Sequence, residues 1–158
     1  MSYTILGIDP GYGRMGFGVV QSEARVYTAV DYGVMKTPAG LATPLRLLAL
    51  AQDLQAVIEQ HEPGGIALEK LFLTNNQKTA IAVSEARGVV LYLAGFYGIP
   101  VMEFTPPQVK NALTGDGKAN KIAIQKMVKQ LLGLDRIPKP DDAADALAIA
   151  ITASTVKW

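Results

Sequence analysis

The sequence predicts an α/β domain built on a mixed five-stranded sheet flanked by helices. Three observations lead there. Residues 1–37 read as three β-rich segments separated by short turn signals, a β-meander. Beyond them, apolar residues recur at helical spacing between shorter apolar runs, so helices alternate with further strands. Four acids, Asp9, Glu69, Asp142 and Asp145, stand where core segments end, among apolar, glycine or proline neighbours.

Residues 3–8, 16–21 and 26–35 form the predicted strands of the meander. The turns at 10–13 and 22–25 are short enough for antiparallel hairpins. Over residues 44–60, Leu45, Leu48, Leu50, Leu54 and Ile58 follow a helical period, and Pro63-Gly64-Gly65 ends it. Residues 65–69 make a short buried strand, 76–95 a second helix and 99–104 another strand. Pro106-Pro107 suits the first turn of a short helix, and residues 114–117 read as a mobile loop. Ile124, Met127, Val128 and Leu131 fall at i, i+3, i+4 and i+7, which turns Lys126 and Lys129 outward. A proline-containing connector at 134–140 precedes the last helix, which starts at Asp141 or Asp142 and ends near Ser154.

The 158 residues fit one domain, spanning 1–158, with 49% hydrophobic and 18% charged residues, a composition of ordered, soluble protein. No run approaches the ~18 apolar residues of a membrane helix, and no secretory signal is visible, so the expected location is the cytoplasm and no membrane partner is expected. Without cysteine there is neither a disulfide framework nor a thiolate metal site. The net charge of +1 hides an asymmetry. Between Thr105 and Lys139 stand seven basic residues (Lys110, Lys118, Lys121, Lys126, Lys129, Arg136, Lys139) and two acids, Asp116 and Asp135. A basic region beside an acidic cluster suits an enzyme that grips a polyanion and cuts it with metals.

Carboxylates beside a core are costly unless paired or bound to a cation, and several oxygen ligands suit a hard ion such as magnesium or manganese. Each acid also has a plainer reading. Asp9, before Pro10-Gly11, fits a turn aspartate bonded to its own backbone. Glu69 closes Ile-Ala-Leu-Glu and is either an edge residue, neutralised by Lys70, or part of a site. Asp142 and Asp145 share a helix face, where acids complement the macrodipole; Asp141 can serve as the cap by itself. Asp145 resists that account, because it lies one turn into a very apolar helix. Lysines along an amphipathic helix are usually its solvated face. Phe72 is either core or, if its loop is exposed, an aromatic able to stack on an unpaired base. His61 reads as a surface residue. No Ser-His-Asp grouping, Walker loop or His-rich zinc pattern is present.

In order and spacing, six segments resemble the RuvC family of bacterial crossover-junction endodeoxyribonucleases. They are Gly7-Ile-Asp-Pro-Gly11; Leu68-Glu69 with Phe72; Ala86-Arg-Gly-Val89; Gln108-Val-Lys110; Gly115-x-Gly-x-Ala-x-Lys121; and Asp142-Ala-Ala-Asp145 running on to Ile151-Thr152. The likeness spans Ile5 to Thr152. It implies a ribonuclease-H-like fold, a homodimer, and magnesium-dependent resolution of four-way DNA (Holliday) junctions by paired symmetric nicks leaving ligatable 5′-phosphate ends. It also implies that Asp9, Glu69, Asp142 and Asp145 are the catalytic metal ligands and that Phe72 contacts unpaired bases at the crossover. Lys110 and Lys121, with Lys118 beside them, would hold DNA near the scissile phosphate, and a branch-migration complex of RuvA with RuvB is the usual partner.

Three departures stand out. Ser84-Glu85 replaces the Gly-Gln common before Ala-Arg-Gly, Asp142 stands where some members carry histidine, and the chain stops at Trp158 without the basic tail of some relatives. On this reading the acids hold two Mg2+ ions, with Mn2+ able to substitute, about 3.5–4 Å apart. Asp9, from the central strand, is the expected bridging ligand; Lys121 offsets charge on the phosphate; and one crowded acid has a raised pKa. The dimer contact is expected on the second helix through Ala80, Ala82, Val83 and Ala86. The alternatives are another ribonuclease-H-like nuclease acting on RNA–DNA hybrids, a non-catalytic junction-binding protein, and an actin-like kinase or ATPase, for whose second half 158 residues leave no room.

Overall fold

The computed structural model describes residues 1–11, 13–72 and 75–158. Tyr12, in the first expected turn, and Leu73 and Thr74, after Phe72, lie outside the described residues. The elements run β1 (Tyr3–Pro10), β2 (Arg14–Glu23), β3 (Val26–Lys36), α1 (Thr43–His61), β4 (Gly65–Glu69), α2 (Gln77–Tyr97), β5 (Val101–Phe104), α3 (Pro106–Thr114), α4 (Lys121–Leu131) and α5 (Asp141–Ser154). The sheet order is β3-β2-β1-β4-β5. The three N-terminal strands pair antiparallel; β4 joins β1, and β5 joins β4, in parallel. Each expected element is present. The meander strands are longer than their turn signals suggested, because β2 runs on to Glu23 and leaves only Ala24 and Arg25, both at positive φ, to turn the chain.

Strand alternation sorts the core into two layers. Leu6, Ile8, Met15, Val19, Ile66 and Leu68 face α1 and α2, meeting Leu50, Leu54, Ile58, Ala86, Val90 and Leu93. Ile5, Val20 and Ala67 face the other way, onto α3, α4 and α5. In α1 the buried stripe is Leu50, Leu54 and Ile58; Leu45 and Leu48, expected to share it, point outward. Five and two residues before Leu50, at about 100° per residue, they fall on other faces.

Helix α5 is apolar on nearly every side, and Ala143, Ala144 and every residue from Ala146 to Ala153 are buried, as befits a core helix. It lies directly on β1 and β2 because glycines open the sheet beneath it. A Cβ at Gly7 would sit 2.1 Å from the Ala146 carbonyl oxygen, one at Gly16 would sit 2.2 Å from that of Asp142, and one at Gly18 would strike Leu147. Gly7 pairs with Gly18 and Asp9 with Gly16, so this bare seam leads straight to Asp9.

Helix α2 is long and apolar enough to cross a membrane by length and composition alone, a property the sequence reading did not expect. Its Ala86, Val90, Leu93 and Ala94 pack into the core, while Ile81, Leu91, Tyr92 and Phe96 remain 40–68% exposed. Ala80 and Ala86, expected to face a partner, are buried within the chain itself, so the outward face is the aromatic one.

One other expectation is corrected. His61 is not a free surface residue: its side chain is only 10% exposed and its Nε2 lies 2.9 Å from Asp31 Oδ2 on β3. The loop at 114–117 is tied by its own hydrogen bonds. Thr114 Oγ1 donates to the Lys110 carbonyl, the Asp116 N–H to Thr114 Oγ1, and the Lys118 N–H to Asp116 Oδ1.

Candidate active site

Asp9 and Glu69 end the adjacent parallel strands β1 and β4, on the face turned to α5. Asp142 and Asp145 project from the first turn and a half of α5, which the glycine seam brings down onto that same edge. Asp9, Asp142 and Asp145 each offer a carboxylate oxygen, all within 4.8 Å of one another. Glu69 stands beside this trio, across a cavity of about 240 Å³ that it lines with Pro106, Lys110, Lys121 and Asp145.

Two caps aim the lysines. Thr105 caps α3 in a capping box, accepting from the Gln108 N–H at 3.3 Å while its own N–H donates to Gln108 Oε1 at 2.8 Å. That fixes the first turn and brings Lys110 to the cavity. Asn120 caps α4 through the Ala123 N–H, which makes Lys121 the first helical residue. A cation there opposes the helix dipole; acids from α5 offset it, with Lys121 Nζ 3.1 Å from Asp141 Oδ2 and 4.0 Å from Asp145 Oδ2.

Asp141 is therefore not the cap of α5. Pro140 occupies that position without a side-chain bond, and Asp141 holds Lys121, Lys139 and Gln125. Nor does Lys70 neutralise Glu69: it is exposed, and the cation acting on that carboxylate is Lys110. Lys118 is exposed on its loop. Phe72 is 52% exposed and lines a second cavity, of about 260 Å³, with Pro10, Glu69, Lys70, Val83 and Arg87. The sequence reading missed Arg14, whose guanidinium is in ionic contact with Asp142, and the Arg87–Glu103 pair. A sequence signal for Arg14 was its place at the return of a hairpin beginning at Asp9.

The electrostatics are those of a site short of positive charge. Burial, then the charges of Asp145, Glu69 and Asp142, push Asp9 up to about 8, with Lys121 acting against them. Burial and Asp145 raise Glu69 against the pull of Lys110; burial raises Asp145 against Lys121. Asp142 Oδ2 is buried, and the cation against it is the Arg14 guanidinium. An all-oxygen cluster crowded enough to raise Asp9 fits a hard divalent cation.

This makes cation uptake proton-linked. Below about pH 8 Asp9 holds a proton that a cation must displace, so Mn2+ affinity should rise with pH, by about tenfold per unit for one proton released. Calorimetric titrations at pH 6, 7 and 8 in buffers of different ionisation enthalpy measure both the slope and the proton. A flat affinity across that range would contradict the protonated Asp9.

A ribonuclease-H-like sheet with clustered carboxylates at the end of its central strand and lysines alongside defines a nuclease of that fold. The chain belongs to the RuvC family: the family model for crossover junction endodeoxyribonuclease RuvC matches residues 5–153. RuvC of Desulfitobacterium hafniense is 52% identical over 147 residues, covering 93% of this chain and 89% of its own. RuvC of Syntrophomonas wolfei is 49% identical over 147 residues, covering 93% and 86%. The structure of T. thermophilus RuvC in complex with Holliday junction substrate superposes with a TM-score of 0.91 at 36% identity, covering 95% of this chain and 92% of that one.

Proposed function

We propose that residues 1–158 form a single nuclease domain that resolves four-way DNA junctions in the cytoplasm by paired symmetric nicks, leaving 5′-phosphate ends. The observation that carries this reading is the trio Asp9, Asp142 and Asp145, whose carboxylate oxygens lie within 4.8 Å of one another, flanked by Lys110 and Lys121. Membership of the RuvC family and likeness to a relative solved with a Holliday junction support the substrate.

Asp9, Glu69, Asp142 and Asp145 would hold two Mg2+ ions, or Mn2+ in their place, with Asp9 the ligand proposed to be shared. Bound there, the cations would supply a water of lowered pKa for attack on phosphorus and stabilise the departing 3′-oxygen. The protein's own residues supply the rest. Asp9 gives up its proton as the site fills. Lys121, paired with Asp141 and Asp145, would exchange those partners for an oxygen of the scissile phosphate. Lys110 and Lys118 neutralise neighbouring phosphates, which makes affinity fall with salt. Phe72 offers an exposed ring to an unpaired base at the crossover. A two-fold junction calls for two such sites, and the exposed Ile81, Leu91, Tyr92 and Phe96 of α2 supply an apolar face for a homodimer. Branch-migration proteins RuvA and RuvB are the proposed partners.

The test offers the purified protein a labelled four-way junction, a linear duplex and an RNA–DNA hybrid, with Mg2+ and with chelator. Symmetric, ligatable nicks confined to the junction with metal are expected. Hybrid cleavage would move the chain to another ribonuclease-H-like activity, and binding without cutting would make it an accessory protein.

A further inference from the structure

The segment leaving β4 carries both Glu69, at the acid cluster, and Phe72, so its first residue must be held if either is to be aimed. Arg87, on α2, is the side chain that reaches it. Its guanidinium is mostly buried, 13% exposed, and divides between two acceptors: Nη1 donates to the Glu69 backbone carbonyl at 3.4 Å, and Nη2 to Glu103 Oε1 on the edge strand β5. Glu103 has no place among the acids of the cluster; its evident use is to hold and neutralise Arg87. Arg87 grips the Glu69 backbone, while the charges that act on the Glu69 carboxylate are those of Asp145 and Lys110. The carboxylate is left available to a cation while the carbonyl behind it is tied to α2.

We infer that Arg87 is a positioning residue for Glu69, with Glu103 as its anchor: the pair clamps the C-terminal end of β4 and so presets the fourth carboxylate for a divalent cation. This rests on the reading of Glu69 as a metal ligand. The clamp requires a fork. A lysine keeps the charge but offers a single ammonium point, which cannot span a carbonyl on one strand and a carboxylate on the next in the same planar geometry. The same helix exposes Ile81, Tyr92 and Phe96 along another face, so the clamp also links the Glu69 backbone to the proposed dimer surface.

Partners that orient a ligand from outside the coordination sphere are worth about 10–100-fold in metal affinity or activity. Arg87→Lys should therefore weaken Mn2+ binding by about tenfold in calorimetry on the full chain and lower kcat for junction cleavage by a similar factor. Junction affinity in chelator and the melting temperature should stay close to the parent's. Glu103→Gln, which leaves Arg87 in place, should shift Mn2+ affinity in the same direction by less, and it carries the test if Arg87→Lys fails to fold. Parental Mn2+ affinity and kcat in Arg87→Lys would overturn the inference. A loss confined to junction affinity would also overturn it, by making Arg87 a DNA contact. If the parent protein cuts no junction, the resolvase reading fails on its own, and the Mn2+ titration still decides the role of Arg87.

Discussion

Asp9→Asn should abolish junction cleavage while leaving junction binding nearly intact, and should make the metal-free protein more stable at neutral pH. The first effect follows from position. Asp9 ends the central strand and belongs to the trio within 4.8 Å, so an amide there removes a charged ligand from the middle of the site. Losing metal stabilisation of the developing charge is worth about 4 kcal/mol, or about a thousandfold in rate. Binding survives because the lysines that meet phosphates are untouched.

The second effect has the opposite sign for a physical reason. In the metal-free fold Asp9 is raised from 3.8 to about 8 by burial and by three neighbouring acids. Between those values the native state keeps a proton that the unfolded chain has released, so stability falls as pH rises through that window. Asparagine removes the penalty, with a gain that grows by about 1.4 kcal/mol per pH unit through that window and disappears below pH 4. Urea denaturation of both proteins in chelator, beside single-turnover cleavage with Mg2+, measures the two effects together. A variant that cuts at the parental rate would remove Asp9 from the chemistry.

Gly7→Ala should cost about 3 kcal/mol or more, enough to unfold a marginal domain. The added Cβ would meet the Ala146 carbonyl oxygen at 2.1 Å and the Ala150 nitrogen at 2.8 Å. Both are backbone atoms of a buried helix and cannot swing aside. Gly33→Ala is the contrast: its Cβ would meet only the Phe17 ring, at 3.1 Å, and a ring can tilt. Gly16→Ala is of the same kind as Gly7→Ala. Its methyl would press on the Asp142 carbonyl at 2.2 Å, so whatever folds should bind Mn2+ poorly. Denaturant midpoints for the three variants give the ranking, and equal midpoints for Gly7→Ala and Gly33→Ala would contradict the seam.

The parts of this molecule legible in its sequence are those encoded by period and punctuation. Apolar runs bounded by glycine and proline placed all five strands, and helical spacing placed the helices, because local burial patterns repeat along the chain. Among the four acids only Asp145 was hard to explain otherwise from its neighbours; Asp9, Glu69 and Asp142 each had a plainer reading, and the family resemblance was what grouped them. What escaped depends on which residues meet across space. Asp141 looked like a cap, but its partners Lys121 and Lys139 come from α4 and the preceding connector. His61 looked exposed, yet Asp31 on β3 receives it. Ala80 and Ala86 looked like contact residues because small apolar side chains suit either side of a helix, and only the packed fold shows which side is covered. Arg14 and Arg87 carried no periodic signal at all.

The seam of Gly7, Gly16 and Gly18 also acts as a ruler with a single mark. Hydrogen is the smallest side chain available, so the gap between the central strands and α5 is already at its minimum, and the next residue in size overshoots it by a whole methyl group. The separation between Asp9 on the sheet and Asp142 and Asp145 on the helix thus cannot be trimmed by small steps at these positions. It is quantised by the thickness of two backbones in contact, and any retuning for a cation of different radius has to come from the carboxylates themselves.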